Sequence, residues 1–371
     1  MQVGDAGASR LAASLSAQAR GGTAGTLDIA GSRLALLDDP FRAEAGETGI
    51  EAASLANSGA ASVLIGGLRG ELRAGPDGLP TQAVDARGTQ SLRVDLGLST
   101  LALEELVLAS SGSLVVQSGT LRSTGQPTQQ ARTLALAGDG ALALISANAV
   151  QVRREAVAGA AGTLSIGAAA ALQGTSVLLD GSAGLTLTLA LDRADALQAA
   201  ALTLSAPSLL LGAAAAAEDG ATVLQGPLLE ALRASRALSL AAYERIAFLG
   251  EQDWALRAAD GAPTRVLDRL VLDAPQIAST GRTDIAAREI VLRNSAGTTA
   301  AGGTPPEAGS SLQLQALPPA TYGRTGGLSI GPGSVQLQAA EARLRSGGDI
   351  VLGVPRVADQ SGVHIGLGKV R

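Results

Sequence analysis

"RLVLDAPQIASTGRTDIAAREIVLRN", residues Arg269 to Asn294, sets its apolar side chains in small pulses: Leu270 and Leu272, then Ile277, then Ile285, then Ile290 and Leu292. Ala-Pro, Ser-Thr-Gly and Ala-Ala lie between the pulses. On a helix, positions i and i+2 point to nearly opposite sides, because each residue turns by about 100°. On a strand they share a face. The intervening Gly and Pro also oppose a continuous helix. The stretch reads as short strands joined at corners.

The pattern recurs along the chain. Leu27 and Ile29 precede Leu34 and Leu36; Leu202 and Leu204 precede Leu209 and Leu211; Leu328 and Ile330 precede Val335 and Leu337. The step between pulses is seven residues in each case, as from Leu270 to Ile277, while Leu134 to Leu142 and Leu238 to Ile246 use eight. A longer period is superposed. Leu270 to Ile290 is 20 residues, and Leu328 in "GGLSIG" to Ile350 in "GGDIVLG" is 22, with Leu352 following. Three short strands per coil of about 20–22 residues is a solenoid period. One coil cannot bury its inward residues alone and must stack on the next at about 4.8 Å. The expected fold is all-β: a parallel β-helix. Leu27, Ile29, Leu34, Leu202, Leu204, Leu209, Leu270, Leu272, Ile277, Ile290, Leu292, Leu328, Ile330, Val335, Ile350 and Leu352 are expected to form its structural ladder.

Composition agrees with a narrow aliphatic interior. The 371 residues are 46% hydrophobic but only 1% aromatic: Phe41, Tyr243, Phe248, Trp254 and Tyr322. Net charge is −5, and no Lys/Arg cluster is interleaved with stacking aromatics, which argues against nucleic acid as partner. Without cysteine there is no disulfide, thiolate metal site or Cys nucleophile. No run approaches the roughly 18 apolar residues of a membrane-spanning helix. The start "MQVGDAGASRLAASLSAQARGG" shows no signal-peptide pattern. An outer-membrane barrel would need aromatic girdles. The chain is expected to be soluble and a fragment of a longer protein.

The organisation expected is an irregular segment or incoming coil over 1–24, the β-helix over 25–353, and a tail or end of rod over 354–371. Loop and short helical insertions are expected near 38–52, 73–90, 212–237, 250–266 and 294–310, with a further break at 122–132. Two helices are candidates within the insertions. "PLLEALRASRAL" (Pro227–Leu238) has Pro at a plausible first turn and leucines at helical spacing; "RADALQAAAL" (Arg193–Leu202) is the other. With the insertions removed, roughly a dozen coils would make a rod on the order of 60 Å.

The phrases "LTLSAPSLLLG", "LVLDAPQIAS", "DIAAREIVLRNSAG" and "GGLSIGPGSVQLQA" resemble the repeat region of the filamentous haemagglutinin family, exoproteins of Gram-negative bacteria exported by two-partner secretion. The resemblance is one of repeat style over most of 25–353. It implies a right-handed β-helix at the cell surface or released from it, used in adhesion or in carrying an effector. It also implies an outer-membrane secretion pore as partner, recognising a region with an Asn-Pro-Asn-Leu motif. The asparagines here, Asn57, Asn148 and Asn294, precede no proline, so that region is not in this chain. Possible ligands are then host-cell, matrix or bacterial surfaces.

Candidate chemistry is sparse. His364 is the single histidine, so a His-based triad or multi-histidine metal site has little support. Asp38-Asp39 before Pro40 reads as turn chemistry more than as a cation site. Glu104-Glu105 reads as a solvated strand face. "AGDGALAL" and "LLDGSAGLTL" contain Asp-Gly corners without the tandem calcium-binding nonapeptide. Trp254 is a possible loop contact for a sugar or protein, or a lid packed on a neighbouring coil. No catalytic, cofactor-binding or metal residues are assigned, and no cofactor is expected. The function expected is a structural shaft of an adhesin-type exoprotein. The alternative is a β-helical polysaccharide lyase or hydrolase, against which one histidine and few aromatics count. An ice-binding solenoid would need Thr-x-Thr rows, and only Thr186 and Thr188 make such a pair.

Overall fold

The computed structural model describes residues 2–3, 9–11, 25–75, 79–126, 131–193, 195–212, 220–254, 256–257, 263–265, 267–299, 306–317, 327–331, 334–347, 349–352, 356–359 and 362–365. Tyr322, most of the 1–24 segment and parts of the expected insertions and tail lie outside the described residues. The chain divides into two compact units, Met1–Ala201 and Leu202–Arg371. Both are all-β, with long strands paired mainly in parallel. No helix among the described residues is long and apolar enough to cross a membrane.

In the second unit the opening stretch forms three strands, Leu267–Asp273, Gln276–Ser279 and Arg282–Arg293. They enter three parallel ladders, and the last strand, Arg282–Arg293, runs on from the third into the first. In the first, Leu238, Leu270, Ile290, Leu328 and Ile350 lie side by side in register. The row formed by Leu240, Leu272, Leu292, Ile330 and Leu352 runs beside it. The second ladder aligns Ile246, Ile277 and Leu337; the third aligns Ile285, Leu314 and Leu344. Leu270, Leu272, Ile277, Ile285, Ile290 and Leu292 are all buried, whereas Ile350 is exposed. Burying one such side chain contributes about 1.5–3 kcal/mol. The passage through Ile290 and Leu292 skips the second ladder. Gln276–Ala278 therefore pairs directly with Gln336–Gln338, and Asn294 donates to the carbonyls of Thr298 and Ser334 in the bypass.

Of the two candidate helices, one forms. Pro227–Ala234 is α-helical, with Pro227 in its first turn and Leu228, Leu229 and Leu232 buried. Arg193–Leu202 is not a helix: the strand Leu197–Leu211 begins within it. Gln198 and Ala200 are exposed at its start, and the inward face begins at Leu202 and Leu204, with Thr203 between them only half-buried. Helix-favouring alanines are overridden by the tertiary demand for an alternating face.

In the first unit the longest ladder aligns Leu34, Leu92, Leu114, Leu164 and Leu185, with Leu36, Val94, Val116, Ile166 and Leu187 two residues on. A second aligns Leu27, Val63 and Leu106, then Ile29, Ile65 and Leu108. A third aligns Leu101, Leu121 and Leu172. Beside these ladders, one described strand runs against the parallel direction. Ala141–Ser146 lies antiparallel between Glu105–Ser110 and the Ser176–Gly181 end of Thr163–Gly181.

A second sheet covers this region. Its order is Val150–Glu155, Arg132–Ala137, Pro80–Asp85 and Leu68–Ala74; only the last pair is antiparallel. Much of 73–90 and the end of 122–132 therefore fold as covering strands. Val84, Leu134, Leu136 and Val150 from this sheet pack on Leu64, Val107, Leu142, Leu144 and Leu178. Strands covered on both faces read as continuous apolar runs, and "ELVLAS" and "ALALIS" are buried at every position.

Candidate functional site

The interface between the two sheets of the first unit holds the densest polar chemistry among the described residues. Glu105 opens the buried run "ELVLAS", and its in-register neighbours are Ser62 on one side and Ser146 on the other. One carboxylate oxygen accepts from the Ser62 hydroxyl and from Arg132 of the covering sheet; the other accepts from Ser146 at 3.2 Å. Ser62 in turn accepts from Arg69 at 2.6 Å, and Arg69 is ion-paired with Asp28. The Arg69 backbone N–H also donates to Asp28, at 2.8 Å. Burial pushes the Arg69 guanidinium below its ordinary value, opposed by Asp28 and Glu105. The expectation of a solvated Glu104-Glu105 face is thus corrected for Glu105, which is buried; Glu104 is half-buried and accepts from Asn148 at 3.2 Å.

Two further clamps lie along the same interface. Arg154 of the covering sheet donates through Nε to Asp180 at 2.8 Å, and its side chain is 2% exposed against 0% for Asp180. A second Arg154 nitrogen donates to the Gly138 carbonyl at 3.0 Å. Beyond Gly138, the Asp139 carboxylate accepts four consecutive backbone N–H groups, from Ala158, Gly159, Ala160 and Ala161, at 2.8–3.2 Å. Burial by itself raises the Asp139 carboxyl, but the four donors prevail and hold it below the usual range. Both Asp-Gly corners thus spend their carboxylates internally: Asp139 on backbone amides and Asp180 on a guanidinium. No group of three or more His, Asp or Glu among the described residues is arranged to hold a metal ion.

Chemically, these carboxylates are occupied by several donors, and Glu105 and Asp180 are also closed off from solvent. Removing one partner from such a pair is costly because it strands a buried charge. The arrangement ties the covering sheet to the ladders through Arg132–Glu105 and Arg154–Asp180.

The remaining candidates are dispersed. Asp39 caps the short 3₁₀ turn Pro40–Arg42 by accepting from the Phe41 N–H at 2.9 Å, while Asp38 pairs with Arg42 at 2.9 Å. Both aspartates serve the turn. Trp254 is 5% exposed and packs as a lid, so it presents no loop contact. Its ring meets Phe248 edge-on at 5.7 Å, and the Arg233 guanidinium from the helix lies 5.4 Å from its centroid. Arg233 also donates to Gln252 at 2.6 Å. His364 lies on the strand Gly362–Ile365, opposite Val357, and its side chain is outside the described residues. Leu34, Leu202, Leu204, Leu209, Leu328 and Val335 are buried, Leu27 and Ile330 are half-buried, and the Leu352 side chain is not described.

Sequence reasoning missed Glu105, Arg132, Arg69, Arg154 and Asp180 as a group. A signal exists: Ser62, Glu105 and Ser146 each bound an apolar run, so in-register stacking makes them one polar row. The arginines carry no such mark, because their partners are distant in sequence. Comparison with protein-family models, with curated proteins and with solved structures finds no match to this chain.

Proposed function

We propose that this chain is a non-catalytic shaft segment of a filamentous-haemagglutinin-like exoprotein. It would stand at the surface of a Gram-negative bacterium or be secreted from it, and act in adhesion or as a stalk carrying other domains. In this reading the ladders wind as a right-handed parallel β-helix, interrupted by insertions. The observation that carries it is the in-register stacking of like apolar residues, Leu34 to Leu185 in one unit and Leu238 to Ile350 in the other. Such stacking gives stiffness and length, and side loops supply contact surface. The outer-membrane pore that would export the protein would act through a region outside this chain. The ligand would be a host-cell, matrix or bacterial surface.

The test is surface exposure in the native organism. Intact cells, with their culture medium, are treated with a non-penetrating protease and probed with an antibody to this chain. Loss of cell-bound signal, or signal in the medium, is expected. A protected pool that becomes sensitive only after lysis overturns the surface assignment. Incubation with neutral and acidic polysaccharides is expected to release neither reducing nor unsaturated ends, and release of either overturns the non-catalytic reading.

A further inference from the structure

The covering sheet ends in an unpaired edge. Leu68–Ala74, "LRGELRA", pairs antiparallel with Pro80–Asp85 on one side, with a register shift at Gly70–Glu71 after which Leu72–Ala74 pair regularly, and no described strand pairs with its other side. Every residue from Gly70 to Ala74 is exposed, including Leu72. A free edge presents unpaired N–H and C=O groups to any strand that can match it, and proteins usually blunt such edges with charge. Here the charges alternate in sign.

We propose that this edge pairs with the same edge of a second copy of the chain, antiparallel and two-fold symmetric, with Leu72 on the axis. The choice of register follows from the side chains. A two-fold antiparallel pair sets a residue opposite one of the same parity, so the axis passes through a residue. An axis at Glu71 sets Glu71 against Glu71 and Arg69 against Arg73. An axis at Arg73 sets Arg73 against itself. Like charges directly opposed are destabilising, which removes both. An axis at Gly70 sets Arg69 against Glu71, but the Arg69 guanidinium is buried and committed to Asp28 and Ser62. An axis at Leu72 sets Glu71 against Arg73 twice, Leu72 against Leu72, and Gly70 against Ala74.

The two charges are available for this. The Glu71 and Arg73 side chains are 88% and 80% exposed, and within one chain they approach only to 3.9 Å. Pairing across the axis would join two four-stranded covering sheets into one of eight strands. The same charges discourage pairing with an unrelated strand, so the edge selects its own copy. The contact is small, placing it among weak, concentration-dependent associations. This inference is independent of the proposed shaft function.

Sedimentation velocity of the full chain over a wide concentration range tests it. A reversible dimer is expected. Glu71→Arg or Arg73→Glu alone would oppose like charges and weaken the dimer by roughly tenfold or more; combined, they would restore it. Because the chain has no cysteine, Leu72→Cys gives a single thiol. It is expected to form a disulfide-linked dimer under mild oxidation, since directly opposed residues lie within disulfide reach. A Cys at Leu68 would serve as the control, which this register does not link. Thermal unfolding of each variant checks that the monomer is intact. A chain that stays monomeric throughout, a dimer indifferent to both charge reversals, or linkage at 68 in preference to 72 overturns the proposal.

Discussion

Arg154 and Asp180 show how single residues hold this molecule. Their paired charges are enclosed between two sheets, where replacing one partner leaves the other uncompensated. Asp180→Asn is expected to lower unfolding free energy by about 3–5 kcal/mol. The double variant Arg154→Met/Asp180→Leu is expected to lose much less, because no charge is then stranded; urea unfolding distinguishes the two. Asp139 makes a pH-dependent contribution. Its carboxyl is held below its ordinary value, so its stabilisation is fully present above about pH 4 and is lost as pH falls through the lowered folded value. Asp139→Asn is expected to be less stable at neutral pH and to lose less on acidification than the unmodified chain. Equal acid sensitivity in urea titrations from pH 7 to 3 would sink that assignment.

Individual elements were legible in the sequence to differing degrees. The 20-residue step from Leu270 to Ile290 can be read from the letters, and it is the register of the two strands. Strand direction cannot be read that way, since i, i+2 alternation looks the same whichever way the chain runs. Ala141–Ser146 is therefore legible as a strand and illegible as an antiparallel one. Pro80–Asp85 was hidden for another reason. Its single buried side chain is Val84, too little to mark an apolar face. At the junction of ladder and covering sheet, Gly66 has φ +92°, and a Cβ there would lie 1.8 Å from the Ala109 carbonyl oxygen. Gly66→Ala is expected to cost about 3 kcal/mol or more through backbone strain and forced separation of the strands. A denaturation midpoint equal to that of the unmodified chain would show that the junction yields.

At the scale of the whole molecule, each unit carries its own apolar rows, and in the first unit the buried pairs Arg132–Glu105 and Arg154–Asp180 tie one layer to the other. That arrangement is what the proposed shaft function calls for. It also exposes a hazard in long parallel stacks. Leu92, Leu114, Leu164 and Leu185 are interchangeable occupants of one row, so a folding chain can miscount and join strands a turn too early or too late. Ala141–Ser146 has no such substitute. Its reversed direction fits only the slot between Glu105–Ser110 and Ser176–Gly181. Once that slot is filled, the ladder strands of the first unit on either side have a fixed origin, and the reversed strand becomes the mark from which they are counted.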